Sequence, residues 1–157
     1  MVARVWGIIS FVPKPREIGP RVRVEQASRR AEPAPGRWLV AWQIRNLGKR
    51  PLQILTARLP HGRFRSKERA LTPAPTLLPG QSTRLEAWVA CSEAPGTVLE
   101  NALLIVRVLW QDEPWQVFAR FRVVFDEQSG PRTTTVLVTT QPVGFSTAGK
   151  KRRSSHA

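Results

Sequence analysis

The densest chemistry in this sequence is cationic. Residues 45–69 carry eight basic side chains and one acidic one, Glu68. Lys49, Arg50, Arg58, His61, Arg63, Arg65, Lys67 and Arg69 surround one aromatic, Phe64. In a single-stranded nucleic-acid site, basic side chains follow the phosphates and an aromatic ring carries a base. Arg50, Arg63, Arg65, Lys67 and Arg69 are therefore the candidate anion or nucleic-acid contacts, with Phe64 the candidate stacking platform. A phosphorylated or acidic protein surface suits the same residues, because the guanidinium fork matches phosphate and carboxylate alike. The simplest account of such a run is a solvated sheet edge, and one aromatic cannot order several bases. A second cluster, Lys150-Lys151-Arg152-Arg153, would hold nucleic acid or an anionic membrane surface only weakly and in a salt-sensitive way.

Other chemistries find little support. The chain has two histidines, His61 and His156, one cysteine, Cys91, and two aspartates, Asp112 and Asp126. Zinc needs three or four converging ligands and calcium needs clustered oxygens, so no metal site is expected. Cys91 falls on the apolar face formed by Leu85, Ala87 and Val89, where a thiol behaves as a small buried hydrophobe. Ser82 follows Pro79-Gly80 without the second glycine of a nucleophile elbow. A Cys91 or Ser82 hydrolase would need His61 beside it. Asp112-Glu113 and Asp126-Glu127 read as solvated turn residues with no apolar pocket to shift their titration. No glycine-rich phosphate loop is present. The expectation is a chain with no cofactor, no metal, no catalytic residues and no enzymatic activity.

The elements that must position these residues are strands. Residues 37–46 alternate, with Trp38, Val40, Trp42 and Ile44 on one face and Leu39, Ala41, Gln43 and Arg45 on the other. Residues 83–91 place Leu85, Ala87, Val89 and Cys91 on one face and Trp88 on the other. Residues 115–125 alternate Trp115, Val117, Ala119, Phe121, Val123 and Phe125 against Gln116, Arg120 and Arg122. Residues 101–110 are apolar on both faces apart from Arg107, as a central strand is. Gln111-Asp112-Glu113-Pro114 is a tight hairpin. Residues 133–140 form a last, β-branched strand. Val22 and Val24 begin the series in a short strand, followed by a proline-rich connection over residues 29–36. Leu52, Ile54 and Thr56 oppose Gln53, Leu55 and Ala57 in the strand after the Asn46–Pro51 turn. A short edge strand is expected at Arg63-Phe64-Arg65, where charge discourages edge-to-edge pairing. No apolar period of 3.6 residues is sustained.

Short strands at 8–12-residue spacing indicate an all-β fold. The turns Asn46-Leu47-Gly48 and Leu78-Pro79-Gly80-Gln81-Ser82, each placed between strands, are similar to those of bacterial immunoglobulin-like domains of the cell-adhesion-related and abnormal-spindle/Hydin-like kinds. The resemblance covers residues 22–125. It implies an immunoglobulin-like antiparallel β-sandwich of about seven strands. Antibody domains carry Cys…Trp…Cys, which is absent here. A fold of this kind fixes architecture and leaves activity open.

The chain's 157 residues suffice for one domain that buries about 70% of its unfolded surface without disulfides or metal. Its net charge of +14 is concentrated. Residues 1–37 hold eight basic and three acidic side chains, whereas residues 70–128 hold four basic and seven acidic. The N-terminus is basic and then apolar, but Gly7, Ser10 and Pro13-Lys14-Pro15 interrupt it without a cleavage site, so residues 1–20 read as a strand or arm and not a signal peptide. No run reaches the length of a spanning helix. Residues 21–145 form the sandwich and residues 146–157 a disordered basic tail. One cysteine suits a reducing compartment, and the expected location is the cytoplasm. Trp88, if exposed, would anchor a contact. Packing of residues 6–11 over it is the expected alternative. These features suggest a non-catalytic interaction module that binds a protein partner or takes part in an assembly. The alternative is a nucleic-acid or phosphate-binding protein that uses residues 49–69 and the tail.

Overall fold

The computed structural model describes residues 17–143. Among these the chain is all-β. Its nine strands are β1 (Val22–Ala31), β2 (Arg37–Asn46), β3 (Leu52–Leu59), β4 (Ser66–Ala70), β5 (Thr76–Leu77), β6 (Ser82–Ala90), β7 (Val98–Trp110), β8 (Glu113–Phe125) and β9 (Pro131–Pro142). They form two antiparallel sheets. One has the order β1-β2-β6, the other β4-β3-β7-β8-β9, with β5 added beside β3. The expected tail lies outside the described residues, as do residues 1–16 of the arm.

The alternating patterns become the core because each strand turns one row of side chains inward. Val40, Trp42, Leu85 and Val89 from the first sheet and Val106 and Phe121 from the second are all buried in one cluster. Trp42 is its centre. Its ring stacks on Phe121 at 5.5 Å and meets the edge of Phe64 at 6.3 Å. Burying each such side chain stabilises the fold by about 1.5–3 kcal/mol. Strand β7 lies between β3 and β8, which explains its two apolar faces. Gln111 and Asp112 join β7 to β8 in a two-residue turn, both with positive φ, the conformation that matches strand twist.

The two turns that carried the family resemblance are clamped together. Asn46 is buried. Its Nδ2 donates to the Arg50 and Leu77 carbonyls, at 2.8 and 2.9 Å, and its Oδ1 accepts from Gly48 N–H at 2.9 Å. Gly80 N–H donates to the Asn46 carbonyl at 2.8 Å. Gly80 reaches this position with φ of +83°, a conformation favouring glycine.

Four local expectations are corrected. The first strand extends through Arg29 and Arg30 to Ala31, with a bulge at Ala27, so the proline-rich connection is shorter than the composition suggests. Strand β3 carries a bulge at Leu55, which shifts its inward row to Leu52, Ile54, Ala57 and Leu59 and turns Thr56 outward. The short edge strand is Ser66–Ala70; of the residues 63–65 only Arg65 pairs, in a single bridge to Ala90. Asp126 is no free turn residue. Its Oδ1 accepts the Gln128 and Gly130 N–H groups, and its other oxygen pairs with Arg29.

Candidate anion-binding groove

The two sheets meet along two seams. At one, the outer edges of β1 and β9 are joined by side chains. Gln26 donates through Nε2 to the Pro131 carbonyl and accepts at Oε1 from Thr133 N–H and Oγ1. Thr133 Oγ1 also receives the Trp42 indole N–H at 3.0 Å, and Thr135 Oγ1 donates to the Val24 carbonyl. The Arg29–Asp126 ion pair closes one end. Asp126 is held below the usual carboxylate range chiefly by the Gly130 N–H, with further help from Gln128 N–H and Arg29, against the cost of its partial burial.

At the other seam, among the described residues, the sheets share one isolated backbone bridge, between Arg65, just before β4, and Ala90 of β6. These residues exchange both backbone hydrogen bonds, at 3.2 and 2.8 Å. Beside that rung lies a groove of about 1070 Å³. Its wall is Arg58 from β3, Arg65 just before β4, and Lys67 and Arg69 from β4. Arg37 from β2 and Trp88 from β6 close the opposite side. The groove therefore gathers five cations and one lining carboxylate, Glu68. Arg37 places its guanidinium 5.7 Å from the centre of the half-buried Trp88 ring. Like charges crowd here because β4 is an edge strand whose side chains need no apolar partner. Such a concavity raises the local concentration of anions and is sensitive to salt.

The groove contains half of the residues expected from the sequence. Arg65, Lys67 and Arg69 line it. Arg63 stands outside that lining and pairs through Nη1 with Glu93 at 2.8 Å. Arg50 lies before the start of β3, whereas the groove adjoins its end at Leu59. Eight strand residues separate these positions by roughly 25 Å. Phe64 is corrected outright. It is 2% exposed and packed on Trp42, so it presents no ring to a base. The aromatic at the groove is Trp88, and the parity of β6 already placed it opposite the apolar row. The position of Arg37 had no sequence signal, since it arrives from a distant strand. The expected cover for Trp88, residues 6–11, lies outside the described residues.

Nucleophilic chemistry gains nothing from the fold. Cys91 is buried, and burial, followed by the nearby Glu93 carboxylate, pushes its thiol up to about 11. The reactive thiolate is therefore scarce at neutral pH. Ser82 begins β6 and His61 follows β3, at opposite ends of the groove-side seam. No group of three or more potential metal ligands occurs among the described residues. No described helix is long and apolar enough to cross a membrane.

No protein-family model and no curated protein matches this sequence. A solved structure, described as the X-ray structure of Northeast Structural Genomics Consortium target SoR45, is similar at 15% identity and a TM-score of 0.25, over 80% of this chain and 86% of that one.

Proposed function

We propose that this protein is a non-catalytic interaction module on an immunoglobulin-like β-sandwich, and that its basic groove binds an anionic surface of a partner protein. The observation that carries this reading is the convergence of Arg37, Arg58, Lys67 and Arg69 from three strands, with Arg65 just before the third, on one concavity. Scattered surface cations are ordinary, but five that face one hollow repel each other and are relieved by an anion. The sandwich assignment is supported by the pairing of β2 with β6 in one sheet and of β3, β7 and β8 in the other, which parallels the B–E and C–F–G strand sets of that fold. The cytoplasm is the proposed compartment, since the one cysteine is unpaired and buried.

A second reading, nucleic-acid or phosphate binding, is favoured by Trp88 beside the cations, although Arg37 already lies over its ring. The test is binding of labelled polyglutamate at about 30 mM and about 300 mM salt. We expect affinity that falls with salt and is lost when Arg65→Ser and Arg69→Ser are combined. Binding that survives the double variant would place the anion site elsewhere.

A further inference from the structure

The edge of β6 beside the groove offers backbone groups as well as charge. Ala90 turns its N–H and C=O toward the large sheet, where Arg65, just before β4, takes both. Cys91 N–H points the other way, to the Gly36 carbonyl on the β2 side, and so does the Gln81 carbonyl, which accepts from Asn46 N–H. The β2–β6 register runs without a bulge from Ser82 to Ala90. The two-residue period of a strand therefore aims the backbone N–H and C=O of Trp88, Glu86 and Arg84 at the β4 side. Among the described residues none of these groups has a backbone partner there, because β6 is the last strand of its sheet. The groove runs alongside, and a second hollow of about 300 Å³ continues it along Arg84 and Glu86.

We propose that an extended acidic segment of a partner protein adds as a strand to this edge of β6, antiparallel and continuing the rung that Arg65 makes with Ala90. The proposal rests on the reading of the groove as an anion site. Backbone bonding to Trp88, Glu86 and Arg84 would set register, and acidic side chains would meet Arg58, Lys67 and Arg69. A strand edge presents donors and acceptors in alternation. A peptide backbone answers both, whereas a phosphodiester backbone holds acceptors only and would oppose the carbonyls. This distinction favours a peptide over a single-stranded nucleic acid as the occupant.

The test uses the full chain and three probes: an extended peptide alternating Glu with Val, the same peptide with alternate backbone nitrogens methylated, and oligo(dT) of similar length. Amide exchange and fluorescence anisotropy are read together. The plain peptide should bind and protect the Arg84, Glu86 and Trp88 amides, and methylation should remove both effects. The decisive variant is Glu86→Pro. The Glu86 N–H faces outward, so proline there removes no bond to β2 but blocks an added strand. Charge alone predicts equal or tighter binding, since a carboxylate is lost; strand addition predicts an affinity loss of about tenfold or more. If this variant does not fold, the methylated peptide decides alone. Binding of peptide without amide protection, and equally with methylation, would overturn the strand while keeping the anion groove. Tighter binding of oligo(dT) than of the plain peptide would transfer the site to nucleic acid. Protection of the three amides in the free protein would show the edge already taken and end the proposal. Failure of all probes to bind would remove the groove reading itself.

Discussion

The two seams of this molecule face the same geometrical problem and resolve it differently. Both bring an edge of the small sheet against an edge of the large one. At the β1/β9 seam, Gln26, Thr133, Thr135 and the Arg29–Asp126 pair bridge the gap with side-chain bonds. At the β4/β6 seam a single backbone rung is made among the described residues, and cations line the opening beside it. The first seam spends its polar groups on the fold. The second leaves them facing solvent, where they add little stability and remain free for a ligand. Polar residues at a sheet edge are thus not equivalent, and what separates the two roles is whether their partners lie within the chain.

The largest test of that contrast is Gln26→Ala. It removes a side chain making three hydrogen bonds across the closed seam, to Pro131 and twice to Thr133. Each orphaned group costs about 1–3 kcal/mol where water is excluded, and part-burial softens this, so urea unfolding should show a loss of about 2–4 kcal/mol. A loss below about 0.5 kcal/mol would mean that water fills the seam and that the two edges are alike.

Gly130→Ala should come next. A Cβ at that position would stand 2.7 Å from Arg29 Nε and 2.9 Å from the Trp38 ring, so the end of the closed seam must move. A cost of about 1–3 kcal/mol is expected, read as a shift in the urea midpoint with an unchanged slope. An unshifted midpoint would show that Arg29 and Trp38 give way freely.

Asp126→Asn sharpens the comparison through pH. The folded protein holds this carboxyl below its unfolded value, so its contribution is fully present above about pH 4 and fades as pH falls through the folded-state value. The variant should be less stable at neutral pH and should lose less stability on acidification. Parallel acid limbs for the two proteins would contradict the lowered titration that the Gly130 N–H, the Gln128 N–H and Arg29 give this carboxyl.

The smallest effect on stability belongs to the open seam. Combining Lys67→Ser with Arg69→Ser should change unfolding stability by no more than about 0.5 kcal/mol, with relief of repulsion able to make the sign favourable. The same variant should bind polyglutamate weakly at low salt. A large destabilisation would assign these cations to the fold and withdraw the contrast between the seams.

Much of the first level of structure was legible in the sequence because it depends on a local period. The inward rows of β2, β6 and β8 follow strict alternation, and the Gln111-Asp112 hairpin is set by backbone chemistry within four residues. Where a bulge intrudes, as at Leu55 in β3, the period is interrupted by one residue. The sequence pattern cannot register this, since Leu55 and Thr56 are acceptable on either face. The groove was half legible for a similar reason. Arg65, Lys67 and Arg69 are neighbours in sequence and remained neighbours in space. Phe64 shares their segment but turns into the core, because Arg65 is pinned to Ala90 and the intervening backbone directs its ring to Trp42.

The sequence by itself determined the all-β class, the antiparallel hairpin between β7 and β8, the burial of Cys91 and the location of the charge excess. Each of these depends on side-chain periodicity or composition within a short window. Only the tertiary structure decided which cations converge. Arg37, Arg58 and Trp88 reach the groove from three strands whose pairing is fixed by the packing of the shared core. It also decided that Gln26 and Asp126 bridge the two sheets, since their partners lie 105 and 97 residues away along the chain. Contacts at that separation depend on the core that holds the edges together, and no local pattern of residues encodes them.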